Sequence, residues 1–404
     1  MRRISTTAFR IAKRGTFREI NRQIALNLVR TKQPISRAEL ARLMGIRRGA
    51  ASLLVNDLLE SGLVFEGAKA ESRRGRRPTH LYIETRRRCT LAVDVSASRT
   101  RLLVMDVLGS PLSEVIEFPT GRRPRALVAE LLRRIERLLA ERPALGECVG
   151  VGVVLSGLVD LEGGRLKYSP TLGWRDVDLL TPLRAAVKVP VVVENSCKAC
   201  VLAQVWAVRG DTPVDGPLAF VNISDGVGVG IAIDGKLLRG AHNIAGEFGH
   251  VQLDPDGPLC SCGQHGCWEA YVSKRALIAR YVGADPSWPA SAEPTAVTLE
   301  GIIARARAGD PHALETLRET AVYLAKGFAT IVKSVDPTRI YVGGEITDAW
   351  DLVAPTVMET LRRESLLREV GETEILPVAL GEHPRLRGAA ALVSTPAFAA
   401  PVVA

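Results

Sequence analysis

Between Gly249 and Glu269 the chain reads GHVQLDPDGPLCSCGQHGCWE, and three of its seven cysteines fall there within eight positions. With the preceding histidine they form the set His250-x9-Cys260-x-Cys262-x4-Cys267. Three thiolates and an imidazole make a tetrahedral zinc shell, and sulfur donors select zinc over magnesium or calcium. Gly257, Gly263 and Gly266 let so short a loop curl around an ion. The spacing is not that of a CxxC finger, and free, partly buried thiols beside an unrelated histidine are the alternative. Glu247 and Glu269 flank the set. Carboxylates and a neutral imidazole are groups that grip hydroxyls. An imidazole has two nitrogens, so His250 has one for a metal and one for a ligand. Surface glutamates near a structural metal are the plainer reading.

Other candidates are scattered along the chain. Asn195 follows the apolar run VPVVVE and reads either as a helix cap or as a ligand contact. Gly157, in SGLV, allows a close backbone approach or a simple turn. Cys197 and Cys200 form CKAC, which resembles a redox pair but, three apart on a helix, reads as small core residues. SDGVGVG keeps Gly226, Gly228 and Gly230, a pattern that a turn between strands also explains.

Charge separates the chain into two parts. Residues 1–88 hold 21 Lys and Arg against 7 Asp and Glu, a net of +14, whereas the remainder is net −5. A basic head on a mildly acidic body is the footprint of a nucleic-acid-binding module. Within the head, NRQIALNLVRTK has helical spacing at Ile24, Leu28 and Val29. Ser36 and Glu39 make a capping box for a short helix with Leu40 and Leu43 inward, and Gly45 stops it. A third helix carries Leu54, Leu58 and Leu59 on one face, with Gly62 near its end. This is the helix-turn-helix order, in which the early residues of the second helix meet base edges. Those are Arg47, Arg48, Ser52 and Asn56, although an arginine at the cap position of that helix is unusual. Two strands joined by a loop with Arg73, Arg74, Arg76 and Arg77 then suggest a wing suited to a minor groove. Residues 1–17 read as a basic arm and 18–84 as a winged helix-turn-helix DNA-binding domain.

The body begins near Thr90. Three short strands, a helix around residues 123–141, the buried strand CVGVGVVLSG, the strand VPVVVEN and the helix SCKACVLAQVWAV follow one another. A strand–glycine turn–strand unit, a helix over residues 311–335 and the strand RIYVGGEI close the series. Hairpins followed by strand–helix alternation, twice over, predict an α/β body of two lobes, 90–200 and 201–404, around a cleft, with the metal loop at 250–267. ADPSWPASAEPTAV (284–297) reads as a surface loop, and Pro396 and Pro401 interrupt the apolar tail. No run of about 18 apolar residues suits a membrane span, and the basic N-terminus lacks the apolar stretch of a signal peptide. The expectation is a cytoplasmic protein.

GVGVVLSGLVD, YSPTLGW, VPVVVENSCKA and GEFGHVQLDPDGPLCSCGQHGCWEAYVS occur in the order of the signatures of the ROK family of sugar kinases and sugar-responsive repressors, which the whole chain resembles. The winged helix with its GRRP loop points to the repressor branch, similar to xylose and N-acetylglucosamine repressors. The resemblance implies an actin-like ATPase fold of two α/β lobes with a monosaccharide between them. It also implies zinc on His250, Cys260, Cys262 and Cys267, and sugar contacts from Gly157, Asn195, Glu247, His250 and Glu269. One departure is Thr171, where the family has asparagine.

Phosphoryl transfer needs a base for the attacking hydroxyl and a cradle for phosphates. The family's kinases carry VENDAN, with aspartate as base; this chain has VENSCK, so Ser196 replaces it and no catalytic residue remains. The phosphate loop DxGGTK has become Asp94-Val-Ser-Ala-Ser-Arg-Thr, without its glycines. The expectation is therefore a non-enzymatic, sugar-responsive repressor, a homodimer or homotetramer on operator DNA with a structural zinc. The alternative is an ATP-dependent sugar kinase with a fused DNA-binding head.

Overall fold

The computed structural model describes residues 14–69, 79–141, 145–207, 216–287, 296–363, 373–379, 381 and 383–398. Most of the basic arm, the loop arginines Arg73, Arg74, Arg76 and Arg77, and most of the loop at 284–297 lie outside the described residues.

The head contains the helices Arg14–Lys32, Arg37–Leu43 and Arg48–Glu60 and a three-stranded antiparallel sheet. Strand Thr79–Ile83 lies centrally in that sheet, between Ile35–Ser36 and Val64–Lys69. The capping box is formed: Ser36 Oγ accepts from Glu39 N at 3.2 Å, and Glu39 Oε2 accepts from Ser36 N at 2.8 Å. Those hydrogen bonds hold the Glu39 carboxyl below its ordinary range. Two expected core faces differ. Ile24 is 45% exposed and Leu28 half-buried, while Ala25, Leu26 and Val29 are fully buried. The first helix meets both the third helix and strand Thr79–Ile83, which turns its buried stripe toward residues 25–26. Leu43 is 47% exposed, because Leu40 and Ala41 already fill the inward side of the seven-residue helix.

Each lobe of the body is built on a five-stranded sheet. In the first, the spatial order is Ile116–Pro119, Arg99–Asp106, Arg88–Val95, Glu147–Leu155, Val191–Asn195. In the second it is Lys236–Leu237, Val227–Ile233, Leu218–Ile223, Arg339–Gly343, Glu374–Pro377. Both have the order 3-2-1-4-5, with an antiparallel meander followed by two parallel additions. Their central strands are almost wholly buried because helices cover both faces. A smaller antiparallel sheet, residues 158–178, hangs over the cleft side of the first lobe.

Two helices fill the space between the large sheets. Ser196–Ala207 packs on the second lobe's sheet, and Pro384–Phe398 packs on the first lobe's sheet and on Ser196–Ala207. The last helix thus returns to the first lobe, although residues 201–404 were expected to form the second, and it continues through Pro396. Glycines bring these backbones together. A Cβ on Gly152 would fall on the Ala389 carbonyl oxygen, one on Gly230 on the Cys197 carbonyl oxygen, and one on Gly388 within 2.6 Å of the Ala199 carbonyl carbon. Cys197 and Cys200 are buried in this layer, as small core residues.

Both helices start at the cleft and end at the head. Phe398 is buried in the core of the head with Leu26, Val29 and Leu58, and its ring stands edge-on to Trp206 at 4.8 Å. Asn27 Nδ2 donates to the Phe398 carbonyl at 2.7 Å. Arg30 lies over the Trp206 ring and donates to its carbonyl at 2.8 Å. Gly152→Ala forces a methyl into the seam and is expected to lower stability by about 1–3 kcal/mol. Gly121→Ala, where a Cβ meets nothing within 4 Å, should be near neutral; denaturant midpoints of the two variants check this.

Candidate metal centre and adjoining cleft

The ligating atoms of His250, Cys260, Cys262 and Cys267 all lie within 4.8 Å of one another. His250 Nδ1 is 3.7 Å from Cys260 Sγ, and Cys262 Sγ is 3.6 Å from Cys267 Sγ. A tetrahedral zinc with Zn–S bonds of about 2.3 Å needs ligand–ligand edges of about 3.8 Å, so donor types and spacing fit that ion. The loop closes on itself through bridges pairing Gln252 with Cys267 and Leu259 with His265. Gly266, at φ 65°, is the tightest point: a Cβ there would overlap the Asp254 carbonyl oxygen. Burial pushes the Cys260 thiol up to about 11 and raises Cys267 as well. The set therefore gives up protons when it takes a metal.

The same histidine faces two ways. With Nδ1 on the thiols, Nε2 lies 4.0 Å from Glu247 Oε2. Burial raises the Glu247 carboxyl, opposed by His250 and Lys198. Glu269 is almost fully committed inside the protein: Oε2 accepts from Val227 N at 2.9 Å and Oε1 from Ser261 Oγ at 2.7 Å. It thereby ties the metal loop to the start of strand Val227–Ile233.

All five residues expected to touch a sugar line one cleft of about 250 Å³, together with Ser196 and Thr171. Asn195 and Gly157, like Glu269, also have structural duties. Asn195 caps the helix Ser196–Ala207, its Oδ1 accepting from Cys197 N at 2.9 Å and Lys198 N at 3.2 Å. Its Nδ2 donates to the Gly157 carbonyl at 2.9 Å. Gly157 itself adopts φ 127°, with the Tyr168 carbonyl where a Cβ would stand. The glycines of SDGVGVG are similarly accounted for by packing: Gly228 against Cys197 Sγ, Gly230 against the Cys197 carbonyl and Gly226 against Glu269.

Two basic residues went unnoticed in the sequence. Arg385, at the start of the last helix, reaches into the cleft and pairs with the buried Asp94 at 2.8 Å. It also donates to the Val95 carbonyl at 3.3 Å and to Ser156 Oγ at 3.5 Å. Burial raises the Asp94 carboxyl, and the charges of Arg385 and Arg101 oppose that rise. Asp94 is thus already paired within the protein. Lys198 is 2% exposed; its Nζ donates to the carbonyl and to Oδ1 of Asn243, whose Nδ2 donates to Val159 O at 2.7 Å. Beside it, Arg239 pairs at 3.0 Å with the fully buried Glu194. The segment entering the metal loop is therefore strapped to the first lobe. A lone Lys in an otherwise small and apolar helix was the available signal for Lys198; nothing comparable marks Arg385.

At the far end of the molecule, Arg47, Arg48 and Asn56 are exposed and Ser52 half-buried. No side chain caps the helix at Arg47. Asn56 Oδ1 accepts from Arg37 Nη1 at 2.9 Å, so its amide nitrogen is the group left facing outward from that pair.

Residues 90–395 match the ROK family. The chain is 27% identical to the xylose repressor of Bacillus subtilis, over 95% of this chain and 97% of the relative. It is 31% identical to the glucokinase of Streptomyces coelicolor, over 76% of this chain and 98% of the relative. Among solved structures, a ROK family transcriptional regulator homologous to the Escherichia coli MLC protein matches with TM-score 0.77 and 25% identity, over 95% of this chain and 97% of that one. The match spans both five-stranded sheets and the cysteine–histidine loop, and the chain belongs to the ROK family.

Proposed function

We propose that the chain is a sugar-responsive transcriptional regulator, acting as a repressor: the head binds operator DNA, and a monosaccharide in the cleft changes that affinity. The observation that carries this reading is the helix pair that begins beside Asn195 and Arg385 and ends in the head's core at Trp206 and Phe398. Supporting it, the xylose repressor is matched over nearly its full length, whereas the glucokinase leaves about a quarter of this chain unmatched.

In the cleft, Glu247 and the Nε2 side of His250 are the groups for sugar hydroxyls, with Glu269, Asn195 and Gly157 shaping the floor. A zinc on His250, Cys260, Cys262 and Cys267 supplies structure only, fixing the imidazole so that its second nitrogen faces the sugar. In the head, Arg47, Arg48, Ser52 and Asn56 meet the major groove, and Arg74, Arg76 and Arg77 the minor groove. Two-fold operators call for a homodimer or homotetramer. Among the described residues no helix is long and apolar enough to cross a membrane, in keeping with a cytoplasmic regulator. Response requires that the sugar bind two arrangements of the lobes unequally.

The body does not transfer phosphate. Ser196 is buried and its hydroxyl cannot act as a base near neutral pH, and Asp94 is neutralised by Arg385. The 31% identity to a glucokinase favours the kinase alternative, which an ADP-release assay decides: turnover above background with any pentose or hexose would sink the non-enzyme reading.

Three outcomes test the proposal. A thermal-shift screen with D-xylose, D-glucose and N-acetylglucosamine should find one that stabilises, by about 2.7 kcal/mol at 100 times its Kd, and Glu247→Ala should abolish that shift. Removing zinc with a chelator should release one ion per chain and abolish the sugar shift, and zinc affinity should rise with pH because burial raises the cluster's thiols. Arg48→Ala should weaken operator binding and flatten the slope of log affinity against log salt by about 1 if it meets a phosphate, or relax base preference at one position by about 1–3 kcal/mol if it meets guanine. Unchanged DNA binding in both respects would remove Arg48 from the interface.

A further inference from the structure

Of the seven cysteines, three form the metal set and Cys197 and Cys200 lie in the helix layer, which leaves Cys89 and Cys148. They are direct partners on the parallel strands Arg88–Val95 and Glu147–Leu155. Both lie on the face covered by helix Pro124–Glu141. Neighbouring strands are about 4.8 Å apart, inside the range of about 4.4–6.8 Å between the Cα atoms of a disulfide. Each thiol donates to a backbone carbonyl of its own neighbourhood. Cys89 is buried, 3.8 Å from the Gly146 carbonyl; Cys148 is half-buried, 3.4 Å from the Gly150 carbonyl. The adjacent Cys89 side chain, with the Gly150 and Leu91 backbone, brings the Cys148 thiol down to about 7, against the opposing effect of burial. Of the two sulfurs, Cys148 is the one within reach of solvent and Cys89 the one enclosed.

The pair also sits at the joint between head and body. Glu147 N donates to the Arg87 carbonyl at 2.8 Å, and Gly146 abuts the Arg87 backbone so closely that a Cβ would come within 2.5 Å of its carbonyl carbon. Arg88, next to Cys89, donates to the Ser61 carbonyl of the head at 3.2 Å.

We propose that Cys148 is a hydroperoxide-reactive thiol and Cys89 its resolving partner, the two closing to a disulfide at this joint. The Cys148 thiolate attacks one peroxide oxygen, the O–O bond breaks, and protonation of the leaving hydroxide gives water and a sulfenic acid. The Cys89 sulfur then attacks the Cys148 sulfur, and the sulfenic oxygen leaves as a second water with the Cys89 proton. Two thiols are oxidised and one peroxide is reduced to two waters. The site is separate from the cleft and does not depend on the sugar reading.

Full-length, zinc-loaded protein treated with hydrogen peroxide, blocked with an alkylating agent and mapped without reduction tests this. The expected product is a peptide pair cross-linked through Cys89 and Cys148 and lost on treatment with dithiothreitol. In Cys89→Ala the cross-link should be lost and dimedone should label Cys148; Cys148→Ser, at a half-buried position, should show neither product. Thermal denaturation of untreated variants verifies that they are folded. Oxidation confined to the metal-set cysteines, a dimedone label on Cys89 instead of Cys148, or no cross-link in the wild type overturns the proposal.

Discussion

Everything in the body depends on how closely two helices approach each other and the sheets on either side. Ser196–Ala207 and Pro384–Phe398 meet where Gly388 faces the Ala199 backbone, and each reaches its sheet where a strand glycine, Gly230 or Gly152, removes the side chain that would keep it away. Close packing of this kind has little slack, because a well-packed interior responds to strain by shifting whole elements. The layer therefore behaves as one rigid insert between two lobes. Its cleft end carries a helix cap, Asn195, and an ion pair, Arg385–Asp94; its other end supplies Trp206 and Phe398 to the head.

One wall of the cleft is organised by a buried ion pair. Arg385 brings a guanidinium to the buried Asp94 carboxylate at 2.8 Å, so the pair compensates its own charge, while Arg385 Nε has no hydrogen-bond partner among the described residues. The surviving glycines of SDGVGVG are required by Cys197 and Glu269 packed against them, and keeping them says nothing of phosphate. On the opposite wall the loop of His250, Cys260, Cys262 and Cys267 presents Glu247 and the free side of the imidazole.

Much of this was legible in the sequence where periodicity or spacing is strong. The capping box, the helix Pro311–Val335, both strand runs and the metal set lie where spacing predicted them. Short amphipathic helices were less legible: the buried stripe of Arg14–Lys32 is set by its neighbours, so Ile24 faces solvent while Ala25 and Leu26 are inside. The return of the last helix to the first lobe could not be read, since an apolar run of small residues with a proline carries no address. Arg385 and Asp94 lie 291 positions apart in the chain, and only the closed fold brings them together. Asn195, ambiguous between cap and ligand contact, is a cap that also lines the cleft.

The burial of Phe398 among Leu26, Val29 and Leu58 has a consequence for synthesis. The head is translated first, yet a wall of its core is a residue made after every strand of both lobes. Domains generally fold as they emerge, N-terminal first. This head, while its chain is still on the ribosome, has an open apolar side that only the completed body can close. Maturation of the head thus waits for the body, and a truncated product would carry a head whose core is exposed.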